Sequence, residues 1–207
     1  MFITFEGIEG CGKTTQIELL HGYLRGKGYR VERTREPGGT AFGEALRQVL
    51  LKREFRVLPL CELLLFMAIR VQHIEEVIMP ALSGGGIILC DRFIDASYAY
   101  QGYGRGIDLG IIGTLNRLVT KGVMPNLTIL LDCEVATGLA RKLVKEPHAD
   151  RFENEDVSFH EKIRSAYLKL AEEDARRFFV VDGGRDIETV HRAIREKVEK
   201  LLESHGV

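Results

Sequence analysis

The sequence predicts a doubly wound α/β fold, a five-stranded parallel sheet flanked by helices, and three observations carry that expectation. Apolar residues crowd short runs without clean alternation, the pattern of strands buried on both faces of a parallel sheet. Longer stretches with helical spacing separate those runs, and strands alternating with helices imply right-handed crossovers. The first run passes directly into a glycine-rich loop of a type that needs a strand before it and a helix behind it.

The apolar runs are Phe2 to Phe5, Tyr29 to Val31, Ile87 to Cys90, Leu127 to Leu131 and Phe178 to Val181. Ile17, Leu20 and Leu24 space out a first helix, and Leu46, Val49 and Leu50 a second. Later helices carry Ile163, Tyr167 and Leu170, then Ile187, Val190, Ile194, Val198 and Leu201, all on 3.6-residue periods. Asp186 fits the N-cap of the last helix, and Gly84 to Gly86 fit a C-cap and turn before the third strand. The stretch from Leu60 to Leu82 reads as a helix that is apolar nearly all round between Leu60 and Ile69. Such a helix needs a second buried surface, so a homodimer through it is expected, with a thick single core as the alternative. The segment from Lys142 to Asp156 is the most polar and turn-like, with Pro147, His148 and Asp150, and it is the candidate for a mobile lid, taken as 141–156.

Composition bounds the rest. With 207 residues and 45% hydrophobic content the chain supports one substantial core, so a single domain over 1–207 is expected. Its formal net charge of −1 lacks the basic bias of a protein that tracks nucleic acid, while leaving room for small anionic ligands at a local basic site. Cys11, Cys61, Cys90 and Cys133 form no C-x-x-C pair, which fits reduced thiols in a cytoplasmic protein. No basic n-region opens the chain, and no apolar stretch approaches the ~20 residues a membrane span requires. Neither a membrane nor a nucleic-acid partner is expected.

The strongest motif runs from Gly7 through Ile8, Glu9, Gly10, Cys11, Gly12, Lys13 and Thr14 to Thr15, and Gly7 to Thr14 match G-x-x-x-x-G-K-[ST]. Glycines let the backbone curl so that successive N–H groups face phosphate oxygens, and the following helix adds its positive end. In that chemistry Lys13 places a point charge on the β- and γ-phosphates of ATP and the Thr14 hydroxyl ligates Mg²⁺. Further on, the third strand ends in Asp91-Arg92, so a carboxylate and a guanidinium project from the sheet edge where open α/β folds bind ligands. Asp91 is a second candidate for Mg²⁺, through water, and Arg92 for clamping a phosphate. A structural ion pair is the alternative for this dipeptide taken alone.

A phosphate loop specifies a nucleotide, not a reaction. Thr34-Arg35-Glu36-Pro37-Gly38-Gly39-Thr40 resembles a signature of the thymidylate kinases, and so does Leu65-Phe66-Met67-Ala68-Ile69-Arg70. Asp91-Arg92-Phe93 followed by Ala99-Tyr100-Gln101-Gly102, and then Asp150-Arg151-Phe152-Glu153, match two more family hallmarks in order. The resemblance implies transfer of the γ-phosphate of ATP to dTMP. It also implies that Phe66 stacks on thymine, Arg70 bonds a base carbonyl, and Ser97 reads the base edge beside Gln101. Tyr100 would pack under the deoxyribose, Arg35 and Arg92 would hold the 5′-phosphate, and Glu9 would meet the sugar 3′-hydroxyl or the metal-bound phosphates. Core packing is the alternative for Phe66. Some relatives carry an arginine directly after that loop glutamate, where this chain has Gly10, so the resemblance is to the type that supplies basic residues from the lid. Arg151 and Arg141 are the catalytic candidates there, with Lys142 and Lys145 also available. The Arg35 to Gly39 loop and the Phe66/Arg70 pair argue against a different nucleoside monophosphate or deoxynucleoside kinase, and a P-loop switch would need a residue to position a hydrolytic water and no acceptor-phosphate site. Cys11, beside Lys13 at a helix N-terminus, is either a lowered-pKa reactive thiol or an inert one turned into the core.

Overall fold

The computed structural model describes residues 1–145, 151–152, 155–204 and 206. Strand β1 (Phe2–Glu6) leads into the phosphate loop and helix α1 (Lys13–Gly26). Strand β2 (Val31–Arg35) follows, then α2 (Ala41–Leu51) and α3 (Pro59–His73). A π-helical stretch at Ile74–Ile78 carries α3 on into the short α4 (Met79–Ser83). After β3 (Ile87–Asp91) a turn of helix, α5 (Ile94–Ser97), opens directly into a second π-helical segment, Tyr98–Gly104. Then come α6 (Leu109–Thr120), β4 (Leu127–Asp132), α7 (Val135–Lys145), α8 (Val157–Glu173), β5 (Phe178–Asp182) and α9 (Ile187–Ser204).

The five strands form one sheet in the order β2-β3-β1-β4-β5, every pairing parallel. Phe2 to Phe5, Ile87 to Cys90 and Leu127 to Leu131 are buried throughout, as runs without alternation require of central strands. The second strand differs from expectation. Its apolar run at Tyr29 to Val31 mostly precedes the strand, which extends to Arg35 and buries only Val31. As an edge strand it needs no apolar residues on its outer side, so hydropathy alone misplaces it. Helix signals hold better: Ile17, Leu20 and Leu24 are buried, Asp186 accepts from Thr189 N at 2.9 Å, and Gly84 ends α4 before Gly85 turns with φ 71°.

Register fixes the site. Phe5 lies opposite Asp91, and the backbone N–H of Arg92 donates to the Phe5 carbonyl at 2.9 Å, so the phosphate loop and the Asp91-Arg92 pair leave adjacent strands at the same edge. From β1 the chain runs to one side of the sheet through β2 and β3, then crosses to β4 on the other, and ligands bind in the crevice at such reversals. Among the described residues no helix is long and apolar enough to cross a membrane.

Candidate active site

A cleft of about 960 Å³ opens at that sheet edge, large enough for two nucleotide-sized ligands side by side. Its floor is the phosphate loop. Gly7, Gly10 and Gly12 have φ of 133°, 70° and 104°, conformations that L side chains rarely adopt. Space is as restrictive as torsion at Gly10, where a Cβ would lie 1.9 Å from the carbonyl oxygen of Gly138 on α7. The glycine found where some relatives place an arginine is therefore required by the contact with α7. The Lys13 ammonium donates to the carbonyls of Gly7 at 3.0 Å and Ile8 at 2.8 Å. Thr14 Oγ1 lies 3.4 Å from Asp91 Oδ2, so a hydroxyl and a carboxylate converge at the mouth of the loop, a donor pair that suits a hard divalent cation shared with phosphate oxygens. Cys11 is 2% exposed and belongs to the main core cluster, which favours the inert reading of its thiol; Cys61 is the exposed cysteine.

On one side of the loop the cleft is walled by Arg141 and Lys142 of α7 and by Gly183, Arg185, Ile187 and Val190 around the start of α9. Arg141 is held there by bonds to the carbonyls of Gly183 at 2.8 Å and Gly184 at 3.4 Å. Nothing in the sequence marks the glycine pair after β5 or the exposed Ile187 as site residues.

On the other side stand Arg35, Arg47, Phe66, Tyr100, Gln101 and Phe152. Arg35 forks onto Glu44 (2.8 and 3.3 Å) at the rim. Arg92 takes φ 70°, an unusual torsion for a residue other than glycine and one that recurs at functional sites. Its guanidinium donates to Gly7 O (2.9 Å), Tyr167 Oη (3.0 Å) and Glu9 Oε1 (3.0 Å) and lies 4.9 Å from the centroid of the Tyr100 ring. Glu9 also accepts from Tyr100 Oη at 2.6 Å and faces His160 Nδ1 at 3.2 Å. Burial pushes the Glu9 carboxyl up, but His160, Arg92, Lys13 and Tyr100 outweigh it and hold the group well below the ordinary carboxylate range. His160, fully buried on α8, was not visible as a site residue in the sequence.

Behind this wall lies a charged network. Arg70 donates to Glu36 (2.7 Å), Ser97 (3.1 Å), Asn116 (2.6 Å) and the Phe93 carbonyl (3.0 Å), and His73 Nδ1 pairs with Glu36 at 3.0 Å. Burial raises the Glu36 carboxyl, and Arg70 and His73 override that and lower it. Arg70 and Ser97 are each 1% exposed, so neither forms the cleft surface as the resemblance implied for base-contacting groups; the Arg70 donors are committed to the network, and Ser97 Oγ accepts from one of them. A second buried carboxylate, Glu6, accepts from Phe93 N and Tyr167 Oη, both at 2.7 Å. Burial and the neighbouring Asp95 push it up to about 7.

The Arg151 guanidinium, expected to act over the transferring phosphate, lies 2.7 Å from Glu62 Oε2, bonds the Leu50 carbonyl at 3.0 Å and sits 4.5 Å from the centroid of the Phe152 ring. A buried carboxylate is a stronger competitor for that charge than an open cleft. Phe152 is the part of this motif that reaches the cleft. Glu146, Pro147, His148, Asp150 and Glu153, part of the expected lid, lie outside the described residues, as does the side chain of Lys145.

A strand, phosphate loop and helix that share one cleft with a second, arginine-rimmed and aromatic half define a P-loop nucleotide kinase. Comparison with known proteins narrows this: the sequence pattern of the family described as "Thymidylate kinase" matches residues 5–194. A thymidylate kinase of Geotalea daltonii is 52% identical over 204 residues, covering 95% of each chain, and that of Caldanaerobacter subterraneus subsp. tengcongensis is 45% identical over 206, covering 100% of this chain and 98% of its own. The crystal structure of thymidylate kinase from Ehrlichia chaffeensis superposes with a TM-score of 0.80 at 38% identity, covering 96% of this chain and 98% of that one. The chain belongs to the thymidylate kinase family.

Proposed function

We propose that the protein converts dTMP to dTDP at the expense of ATP, working as one kinase domain over 1–207 in the cytoplasm. The observation that carries this reading is the division of one cleft by the phosphate loop, with an arginine-rimmed aromatic slot on the side away from α7 and α9. ATP lies with its phosphates on the loop backbone from Gly7 to Thr15 and its base toward Arg141, Ile187 and Val190. The acceptor thymine packs against the cleft-lining sides of Phe66, Tyr100 and Phe152, where the rings supply apolar area. Arg70 stands one turn beyond Phe66, bonded to Ser97; exchanging one of its bonds for a base carbonyl lets it read the pyrimidine edge, with Gln101 beside it. Tyr100, fixed by Glu9, packs under the sugar and leaves Glu9 near the 3′ position.

The acceptor phosphate, a dianion at neutral pH, is already nucleophilic and needs no general base. Catalysis reduces to aligning two anions and neutralising charge as the phosphoryl group moves. Arg35 and Arg92 hold the acceptor, and Lys13 faces the donor. A divalent ion, for which we assign Mg²⁺, would be held by Thr14 and by Asp91 and would neutralise phosphate charge. Arg141, anchored to Gly183 and Gly184, and Lys142 are the described basic groups of the 141–156 segment that line the cleft. Leu60, Leu64 and Val71 leave one face of α3 apolar and about half exposed, and we assign that face to a homodimer contact. The test is a coupled ADP-release assay with ATP-Mg²⁺ and a panel of nucleoside monophosphates. dTMP should lead by at least tenfold in kcat/KM, about 1.4 kcal/mol of differential transition-state binding. Equal turnover of AMP, GMP or CMP would overturn the assignment.

A further inference from the structure

Glu62 is a carboxylate with no exposure, placed on α3 one helical turn before Phe66. Nothing in the phosphoryl transfer uses it. Its Oε1 accepts from Gln101 Nε2 at 2.8 Å and lies 3.6 Å from Arg105 Nε, while its Oε2 meets Arg151 Nη1 at 2.7 Å. Arg105 in turn reaches Glu155 at 2.6 Å. One buried anion thus joins three elements: the helix that carries Phe66, the π-helical segment that carries Tyr100 and Gln101, and the chain at Arg151-Phe152. The product of that junction is visible in the rings. Phe152 packs edge-on against Phe66 (6.2 Å) and Tyr100 (5.9 Å), with the Arg151 guanidinium 4.5 Å from its ring centroid. Removing the carboxylate would leave Arg105 to Glu155 and take from Arg151 its carboxylate contact, and the segment bearing Phe152 would have to turn outward to solvate that guanidinium.

We infer that Glu62 is a positioning residue for the acceptor: it draws Gln101 and Arg151 together and so seats Phe152 as the third wall of the aromatic slot. This rests on the placement of dTMP proposed above. A preassembled slot lowers the cost of ordering it around a ligand, so its loss appears in acceptor binding and leaves the phosphate chemistry intact. That is opposite to what an arginine touching the transferring phosphate would show.

Glu62→Gln, which keeps the shape and removes the charge, should raise the KM for dTMP about tenfold, with kcat and the KM for ATP each within about twofold of the parent. Arg151→Gln, on the more exposed partner and so usable if Glu62→Gln fails to fold, should do the same, and Arg151→Lys should recover most of the loss. The double variant should be no worse than the weaker single one, because both break one contact. Multiplying effects in the double variant, a parallel rise in the KM for ATP, or a fall confined to kcat would overturn the proposal. Phe66→Ala separates the two levels. If it raises the dTMP KM and Glu62→Gln does not, the positioning role fails alone; if Phe66→Ala changes nothing, the acceptor placement fails with it.

Discussion

Gly10→Ala is the sharpest test of how the phosphate loop is built. The added Cβ would lie 1.9 Å from the Gly138 carbonyl oxygen, against 3.4 Å or more for an ordinary contact. Loop and α7 must therefore part by about 1.5 Å, and a misplacement of about 1 Å in a catalytic constellation can cost ~10²-fold in rate. The left-handed torsion, φ 70°, adds about 1 kcal/mol of backbone cost. Gly85 makes a matched control, because its φ is 71° and nothing lies within 4 Å of its Cβ position. Gly85→Ala bears the torsional cost alone and should keep full activity with a small loss of stability. Gly10→Ala should lose at least ~10²-fold in kcat/KM, about 2.7 kcal/mol, in the coupled ADP-release assay. Activity within fivefold of the parent would refute the claim that α7 sets the space at this position.

The buried network should dominate stability: Glu36→Ala strands Arg70 and His73 and should cost about 3–5 kcal/mol, lowering the urea midpoint by more than ~1 M; a shift under ~0.5 M would show the charges are not mutually dependent. Glu6 should give stability a negative slope with pH. Its carboxyl is raised in the folded state from 4.5 to about 7, so its favourable contribution is complete below the unfolded value and fades as pH rises through 7. Glu6→Gln should remove on the order of 3 kcal/mol of pH-dependent change between pH 4.5 and 7, and an equal change in unfolding free energy between pH 5 and 7.5 for parent and variant, taken from urea titrations, would exclude the group. A small alkylating reagent should label exposed Cys61 and spare buried Cys11, leaving turnover intact; ATP-protected labelling of Cys11 by mass spectrometry would show that the loop opens.

What could be read from the sequence is what local chemistry determines. Phe2 to Phe5 and Leu127 to Leu131 announce central strands because burial on both faces leaves no room for polar residues. Gly7 to Thr14 announces a phosphate site because few other arrangements need those glycines and that lysine together. Val31–Arg35 was harder, since an edge strand buries little. Arg151 illustrates a deeper limit: a guanidinium is attracted equally to a phosphate and to a buried carboxylate, and the competing Glu62 lies 89 positions earlier in the chain. His160, Ile187 and Phe152 become site residues only once α8, α9 and the aromatic slot are assembled in space.

The π-helical segment at Tyr98–Gly104 has a consequence for how this family drifts. A wider turn accommodates a residue that an α-helix would not, and each residue of an α-helix turns the chain by about 100°. Deleting one residue between Tyr98 and Gly104 would let the segment relax to α-helix and swing Gln101 and Glu9's partner Tyr100 off the slot, with every side-chain type preserved. Among relatives, a one-residue gap here would signal a change in what the enzyme accepts more reliably than many substitutions elsewhere in the chain.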